Sequence, residues 1–434
     1  MTASKTLYIL LVVASLLFLL QFLLPQAGVA ALAIDGVLLA VLVADYFMTV
    51  PASALSVQRA VAERLSIGRD NQVTIEVFSQ AKESLKLRLR DSYPLPIDAD
   101  VQEFDFELAP NSKAILNYNL KPVRRGAFEF GDIAARYKSR FGLFWRQVIF
   151  PAPHKVRVYS DLKALQELSV KLAHSSEFGD LKVRKRGQGT DFASLREYIS
   201  GDDVRSMDWK ATARRDKPVL RVYEVDKEQA MMVLVDAGRM MVSDLDGLTR
   251  FDHALNAALS LVLTGLMRND QVGLGIFADK PILFMPPRRG KAYISRILEA
   301  CCDVFPKMVE PDYLGALSYF AGAHKSRSLM VVITDLTDPT GSQTLLSGLA
   351  SLSPRHLPFC VTLRDRKVDR VADDSASDLD EIMKKAVAND LIAQRELAFS
   401  HLVRRGCLIL DCPPQELSTK LVDKYLEIKA RALL

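Results

Sequence analysis

Met231-Met232-Val233-Leu234-Val235-Asp236 is an unbroken apolar run that ends on a carboxylate, and Leu329-Met330-Val331-Val332-Ile333-Thr334-Asp335 repeats the form. A strand that is apolar on both faces is covered on both faces, which is the habit of parallel sheets lying between helix layers. The surroundings agree. Strands over 231–235, 271–278, 328–334, 359–363 and 408–410 alternate with helical spacing over 250–267, 292–305, 345–352 and 382–403. Such alternation predicts a Rossmann-like, doubly wound α/β domain with a mostly parallel sheet, spanning 229–434. Ligands of such sheets gather at the carboxyl ends of the strands, which is where Asp236 and Asp335 fall.

Upstream, over 51–160, the pattern changes to period two. Gln72-Val73-Thr74-Ile75-Glu76-Val77-Phe78 and Leu85-Lys86-Leu87-Arg88-Leu89-Arg90 alternate polar and apolar residues, and Gly68, Pro94, Pro96, Pro110-Asn111 and Gly126 punctuate them. One wet face and one buried face per strand predict an antiparallel β-sandwich. Arg124-Arg125-Gly126-Ala127-Phe128 and Arg140-Phe141-Gly142-Leu143-Phe144 read as hairpin punctuation, with a docking edge as the alternative.

The first fifty residues are more apolar still. The run 7–24 is interrupted only by Ser15 and Gln21, and as a helix it would rise about 27 Å, close to the thickness of a bilayer core. Pro25-Gln26-Ala27-Gly28 reads as a turn, and a second run extends from 29 to about 50. The expectation is a two-helix transmembrane hairpin over 1–50, with a cleaved signal peptide as the alternative. Lys5 before the first run and Arg59, Arg64 and Arg69 after the second would place both termini in the cytoplasm, giving a two-pass inner-membrane protein. Asp35 and Asp45 lie in the second run, at positions where carboxylates are costly. The five cysteines, Cys301, Cys302, Cys360, Cys407 and Cys412, form no CxxC pair and read as buried free thiols of a reducing compartment. A net charge of +5 over 434 residues gives no strong case for nucleic acid, and Lys182-Val183-Arg184-Lys185-Arg186 reads as a solvated loop or part of the linker, with a phosphate-binding patch for nucleic acid as the alternative.

The densest polar stretch lies within 161–228, between the two domains. It runs Gly187-Gln188-Gly189-Thr190-Asp191-Phe192, then Leu195-Arg196-Glu197-Tyr198, Gly201-Asp202-Asp203-Val204-Arg205, Asp208-Trp209-Lys210 and Thr212-Ala213-Arg214. Thr190 or Asp191 is placed to cap a short helix ending near Ser200, and Asp202 to cap the next. Arg196, Arg205 and Arg214 can fork onto Asp191, Asp202 or Asp208, which makes the stretch either an ion-pair network or a docking face. Asp191, Arg196, Tyr198, Asp202, Arg205, Asp208, Trp209 and Arg214 are the partner-binding candidates, and no residue is assigned a catalytic role.

The spacing Gly-Asp-x-x-Arg-x-x-Asp-Trp from Gly201 to Trp209, with Phe141-Gly142-Leu143-Phe144 and the layout around them, resembles the domain of unknown function 58 family. The resemblance implies a membrane-anchored chain with a von Willebrand factor A-like domain, paired with a MoxR-type AAA+ ATPase. Metal-binding A domains end their first strand in Asp-x-Ser-x-Ser. Here the sequence reads Asp236-Ala237-Gly238-Arg239-Met240, and Glu310-Pro311-Asp312-Tyr313 stands near the expected threonine. Glycine and methionine offer magnesium no hard oxygen, so Asp236 and Asp335 read as the remains of a degenerate metal site, and no cofactor is assigned. No P-loop, GxSxG, zinc spacing or Cys-His signature is present. The expected function is a non-enzymatic scaffold or adaptor that works with the ATPase in assembling or maturing protein complexes. A metal-assisted hydrolase using the A-like face is the alternative.

Overall fold

The computed structural model describes residues 2–19, 27–94, 97–179, 191–199, 204, 207–215, 217–224, 229–336, 339–353, 355–375 and 378–431. The chain divides into two compact units, Met1–Lys163 and Ala164–Leu434.

The first unit is built mainly from antiparallel sheet. In one sheet Asn71–Ser79 pairs on one side with Leu55–Val61 and on the other with Lys113–Pro122, and Ile97–Ala99 completes the edge. A second, five-stranded sheet runs Thr2–Ala3, Phe144–Phe150, Ile133–Lys138, Leu85–Asp91 and Phe104–Leu108. A third joins Arg64–Ser66, His154–Tyr159 and Gly126–Phe130. Alternation does what it should: Val73, Ile75 and Val77 are buried from one sheet, and Leu85, Leu87 and Leu89 from another. A buried ionic tie links two of the sheets. Arg59 pairs with Asp91, and Tyr118 donates its hydroxyl to Asp91 Oδ2 at 2.5 Å. Gly142 takes a positive φ of 74° at the turn between Ile133–Lys138 and Phe144–Phe150, a conformation that favours glycine.

The N-terminal segment corrects the sequence reading. Helices occupy Lys5–Leu19 and Ala27–Met48, but among the described residues no helix is long and apolar enough to cross a membrane. The transmembrane hairpin over 1–50 and the two-pass inner-membrane placement are therefore withdrawn. The physical reasons are local. Within the described residues, the helix Lys5–Leu19 rises about 22 Å, short of the roughly 30 Å hydrocarbon core. Asp45, on the second helix, is fully buried against the sheet unit, where it accepts from Ser139 Oγ at 2.5 Å and from Phe141 N at 2.8 Å. Just beyond that helix, Val50 O accepts from the Tyr137 hydroxyl at 2.7 Å. Thr2–Ala3 pairs with Phe144–Phe150, and Ser4 N donates to Leu143 O at 2.9 Å. The arginines taken as orientation signals also have folded partners: Arg59 pairs with Asp91, Arg64 lies over the Tyr159 ring, and Arg69 pairs with Asp161. Pro25 and Gln26 of the expected turn lie outside the described residues.

The second unit centres on a six-stranded sheet. In chain order its strands are β1 (Ala230–Asp236), β2 (Gln271–Phe277), β3 (Pro281–Arg288), β4 (Ser328–Thr334), β5 (Leu357–Leu363) and β6 (Leu408–Cys412). Across the sheet they run β3-β2-β1-β4-β5-β6, all parallel except the antiparallel edge β3. Alternate residues of β1 serve opposite layers. Met231, Val233 and Val235 pack with the helices Arg250–Met267 and Pro414–Ala430. Met232 and Leu234 pack with Tyr313–Ala323 and Pro339–Leu352. Each such fully buried aliphatic side chain contributes about 1.5–3 kcal/mol, so the sheet centre dominates the stability of the unit. The five cysteines are buried free thiols. β2 and β3 lie to one side of β1 while β4, β5 and β6 lie to the other, so the strand order reverses between β1 and β4.

Candidate functional site

Asp236 ends β1 and Asp335 follows β4, so both stand at the carboxyl edge where the strand order reverses. Asp236 is fully buried, and both carboxylate oxygens are engaged by protein donors. Oδ1 accepts from Gly238 N at 2.7 Å. Oδ2 accepts from the Tyr313 hydroxyl at 2.9 Å and from Thr334 Oγ1 at 2.7 Å, and those two hydroxyls are 2.8 Å apart. Burial pushes the Asp236 carboxyl above the usual carboxylate range, while the bonds from Thr334, Gly238 and Tyr313 pull the other way. Burial and the neighbouring Asp236 push the Tyr313 phenol well above its ordinary value. The hydroxyls therefore act here as donors to a carboxylate.

Asp335 is held by two guanidinium groups. Arg250, at the start of its helix, ion-pairs with Asp335 Oδ2, and Arg395 Nη1 lies 3.1 Å from Oδ1. Arg395 also donates from Nη2 to Asp411 Oδ1 at 2.6 Å and to Leu363 O at 2.9 Å. Arg250 reaches Asp365 at 3.5 Å. One chain of charges thus links the ends of β4, β5 and β6. Burial raises the Asp335 carboxyl, and Arg250 and Arg395 lower it.

A cleft of about 280 Å³ opens beside this network, with Leu336, Val368, Leu391, Ile392 and Phe399 among its lining. Of the residues at this sheet edge, Asp236 and Asp335 were legible in the sequence; Arg250, Arg395 and Asp411 were not singled out, and Tyr313 was quoted only for standing near the expected threonine. Asp411 carried a usable signal, since Leu408-Ile409-Leu410-Asp411 repeats the form of an apolar strand ending on a carboxylate.

The polar stretch folds differently from its expected helices. Asp191–Glu197 is a strand, paired antiparallel with Val219–Glu224, with an irregularity between Phe192 and Ser194. The β-branched residues of its partner favour the ribbon, and pairing overrides the weak capping signal at Asp191. Arg196 and Tyr198 are half-buried near one end of the ribbon, where Tyr198 N donates to Pro218 O at 2.9 Å. Asp191 pairs with Glu224 at the opposite end, about 17 Å or more away along the strand, so the ribbon separates it from Tyr198. Gly187, Gly189, Thr190, Gly201, Asp202 and Arg205, and the basic run 182–186, lie outside the described residues.

Asp208 and Trp209 meet the Tyr198 end of the ribbon. Asp208 N donates to Val219 O at 2.9 Å, one residue along from the Pro218 carbonyl that receives Tyr198. Asp208 Oδ1 accepts from Lys210 N and Ala211 N, both at 3.0 Å, and so caps the helix Trp209–Arg215. Thr212 Oγ1 accepts from Val219 N at 3.0 Å and hooks that helix to the ribbon. Trp209 is left 69% exposed on the first turn, and Arg214 is also exposed. Asp208→Ala should cost about 1 kcal/mol through loss of the cap. Native-state hydrogen exchange should then speed up at the Lys210 and Ala211 amides while the β1 amides stay protected. Unchanged exchange at those two amides would show that the carboxylate is not the cap.

The fold and this edge define a class: an antiparallel β-rich unit joined in one chain to an open, mostly parallel α/β sheet whose carboxyl edge is closed by buried ion pairs. Residues 194–389 match the family described as "Protein of unknown function DUF58". Among curated proteins, the chain is similar to the uncharacterized protein Rv1480 of Mycobacterium tuberculosis, with 25% identity over 181 residues, which cover 41% of this chain and 56% of that protein. It is also similar to the uncharacterized protein YeaD of Bacillus subtilis, with 22% identity over 193 residues, covering 43% of this chain and 46% of that one. The match thus spans about half the length of these relatives. Among solved structures, the conserved hypothetical protein BatB from Bacteroides thetaiotaomicron aligns over 47% of this chain and 99% of its own, at 12% identity and a TM-score of 0.31.

Proposed function

We propose that this chain is a non-enzymatic protein-binding adaptor, and that a MoxR-type AAA+ ATPase is its partner. The observation that carries the reading is Trp209. A large indole, 69% exposed, stands on a helix held by the Asp208 cap and the Thr212 hook. Ordered, exposed tryptophan is a typical anchor of protein interfaces, because it brings much contact area and little side-chain entropy to lose. The von Willebrand factor A-like arrangement belongs to this proposal, with the carboxyl edge of the sheet as a further binding face.

The non-catalytic half rests on how the reactive groups are spent. Asp236 and Asp335 are saturated by internal donors. Ser328 Oγ and His356 Nδ1 are 2.9 Å apart, but both residues are buried, and burial holds the His356 imidazole below its usual value. Burial also pushes the Cys407 thiol up to about 12 and the Cys412 thiol to about 11, which disfavours the thiolate nucleophile.

The test uses the full chain on a resin and a purified MoxR-type ATPase, with and without ATP. The chain should retain the ATPase, and Trp209→Ala should reduce retention by about tenfold or more without moving the thermal unfolding midpoint. Retention unaffected by Trp209→Ala, or magnesium-dependent turnover by the purified chain alone, overturns the reading.

A further inference from the structure

The helix Leu379–Arg404 places Leu379, Met383 and Val387 at four-residue spacing, and they are 67%, 61% and 60% exposed. Four apart on a helix means one above the other, so the three form a continuous aliphatic ridge. The next residue in that row, Leu391, lines the cleft beside the carboxyl edge. The ridge and the cleft are thus one surface, about 18 Å long from Leu379 to Leu391. Internal packing takes little from this helix, whose buried residues are Ala388, Ala398 and Leu402. Large aliphatic groups aligned in solvent mark an interaction site.

The occupant is set by shape and charge. A volume of about 280 Å³ with Val368, Leu391, Ile392 and Phe399 in its wall fits one large apolar side chain, at the small end of the range for binding pockets. The cleft offers an incoming ion little, since Arg395 and Arg250 are already paired with Asp335, Asp411 and Asp365, and Arg364, which also lines it, is paired with Asp369 at 2.8 Å. Along this helix, Asp380, Glu381, Asp390 and Glu396 outnumber Lys384, Lys385 and Arg404, with Arg395 set aside as already paired, and Lys384 is itself paired with Asp380 at 2.7 Å. Arg366, Lys367 and Arg370 of the neighbouring helix line a separate hollow with Asp246 and Gln415. The excess charge around the ridge is negative.

We propose that this ridge and cleft dock a basic amphipathic helix of a partner protein, with an apolar side chain seated in the cleft and lysine or arginine beside Asp390 and Glu396. The proposal rests on the adaptor reading and assigns it a second face, separate from Trp209. The probe is a fluorescent helical peptide of about 14 residues, long enough to span the ridge, with leucine at four-residue spacing and arginine between. Its binding to the full chain is read by anisotropy. Met383→Asp with Val387→Asp should weaken binding at least tenfold, Glu396→Lys should weaken it severalfold, and rising salt should weaken it further. All three substitutions are at exposed positions, so unfolding midpoints should hold. A matching peptide with glutamate for arginine should bind much less.

Equal binding of the acidic and basic peptides, or of wild type and the ridge variant, overturns the proposal. So does a dimer in analytical ultracentrifugation that the ridge variant converts to monomer, since the occupant would then be a second copy. Trp209→Ala should leave peptide binding unchanged. Failure of the ridge with ATPase capture intact therefore rejects this proposal alone, whereas loss of the Trp209 effect rejects the adaptor reading.

Discussion

Asp335→Ala is expected to cost about 3–5 kcal/mol, a large share of the roughly 5–15 kcal/mol that holds a typical domain folded. The reason is what remains after the carboxylate goes. Arg250 and Arg395 both point at Asp335, whose side chain is 0% exposed. Removing it leaves two guanidinium charges in a low-dielectric site with less compensation, and the penalty is the unpaired charge rather than the lost contact. Asp411 and Asp365 soften the loss, because each still holds one of the arginines. Urea unfolding should show a lower midpoint with an unchanged slope. Glu416→Ala supplies the contrast: it breaks the solvent-exposed pairs with Arg366 and Lys420, and should leave the urea midpoint close to that of wild type. An Asp335→Ala chain within about 1 kcal/mol of wild type would mean that water reaches the arginines and that the edge is not closed.

The parallel sheet was legible because its strands carry a strong signal. β1 and β4 are apolar on both faces, and the helix Arg250–Met267 is long enough for periodicity to show. β3 was not legible, because Pro281, Pro286 and Pro287 read as breakers, yet an edge strand tolerates residues that lack an amide donor. The helix Tyr313–Ala323 was hidden in a stretch read for lost metal ligands, although Asp312 caps it by accepting from Gly315 N at 2.9 Å. The ribbon at Asp191–Glu197 was misread because a capping residue is a local signal, while pairing with Val219–Glu224 is long-range.

The N-terminal error has the same origin. Hydropathy reports composition along the chain and not what a polar side chain in an apolar helix will meet. Asp45 reads as a costly carboxylate until Ser139 and the Phe141 amide arrive from far along the sequence. In the same way, the arginines near the membrane runs could be counted as topology signals only while Asp91, Tyr159 and Asp161 were unknown as partners. At the candidate site, the residues at strand ends were visible from pattern, but those arriving from helices, Arg250 and Arg395, were not. Arginine on a helix is ordinarily a solvated residue, and only the tertiary fold turns these two inward.

Restoring the serines of the Asp-x-Ser-x-Ser pattern, Gly238→Ser with Met240→Ser, should lower stability and create no magnesium site. The Gly238 backbone itself is no obstacle, with φ −80° and ψ −172° open to any residue. Space is the obstacle. A Cβ at Gly238 would stand 2.9 Å from Pro311 Cδ, 3.1 Å from Pro311 Cγ and 3.0 Å from Asp236 Oδ1. The proline ring cannot rotate away, and its loop is pinned on both sides: Arg239 N donates to Val309 O at 2.8 Å, and Asp312 N to Ala278 O at 2.9 Å. Overpacking of this kind costs about 1–3 kcal/mol. Even with two hydroxyls added, a cation would have to displace Tyr313 and Thr334 from Asp236 and compete with Arg250 and Arg395 for Asp335. Two positive charges beside the position oppose a third. A magnesium titration followed by thermal unfolding decides the matter, because a cation bound only by the folded state raises the midpoint with its concentration. The expected curve for the double variant is flat and lies below wild type. A magnesium-dependent rise would show that the two serines were all the site lacked, and that Tyr313 and the arginine pair yield to a metal.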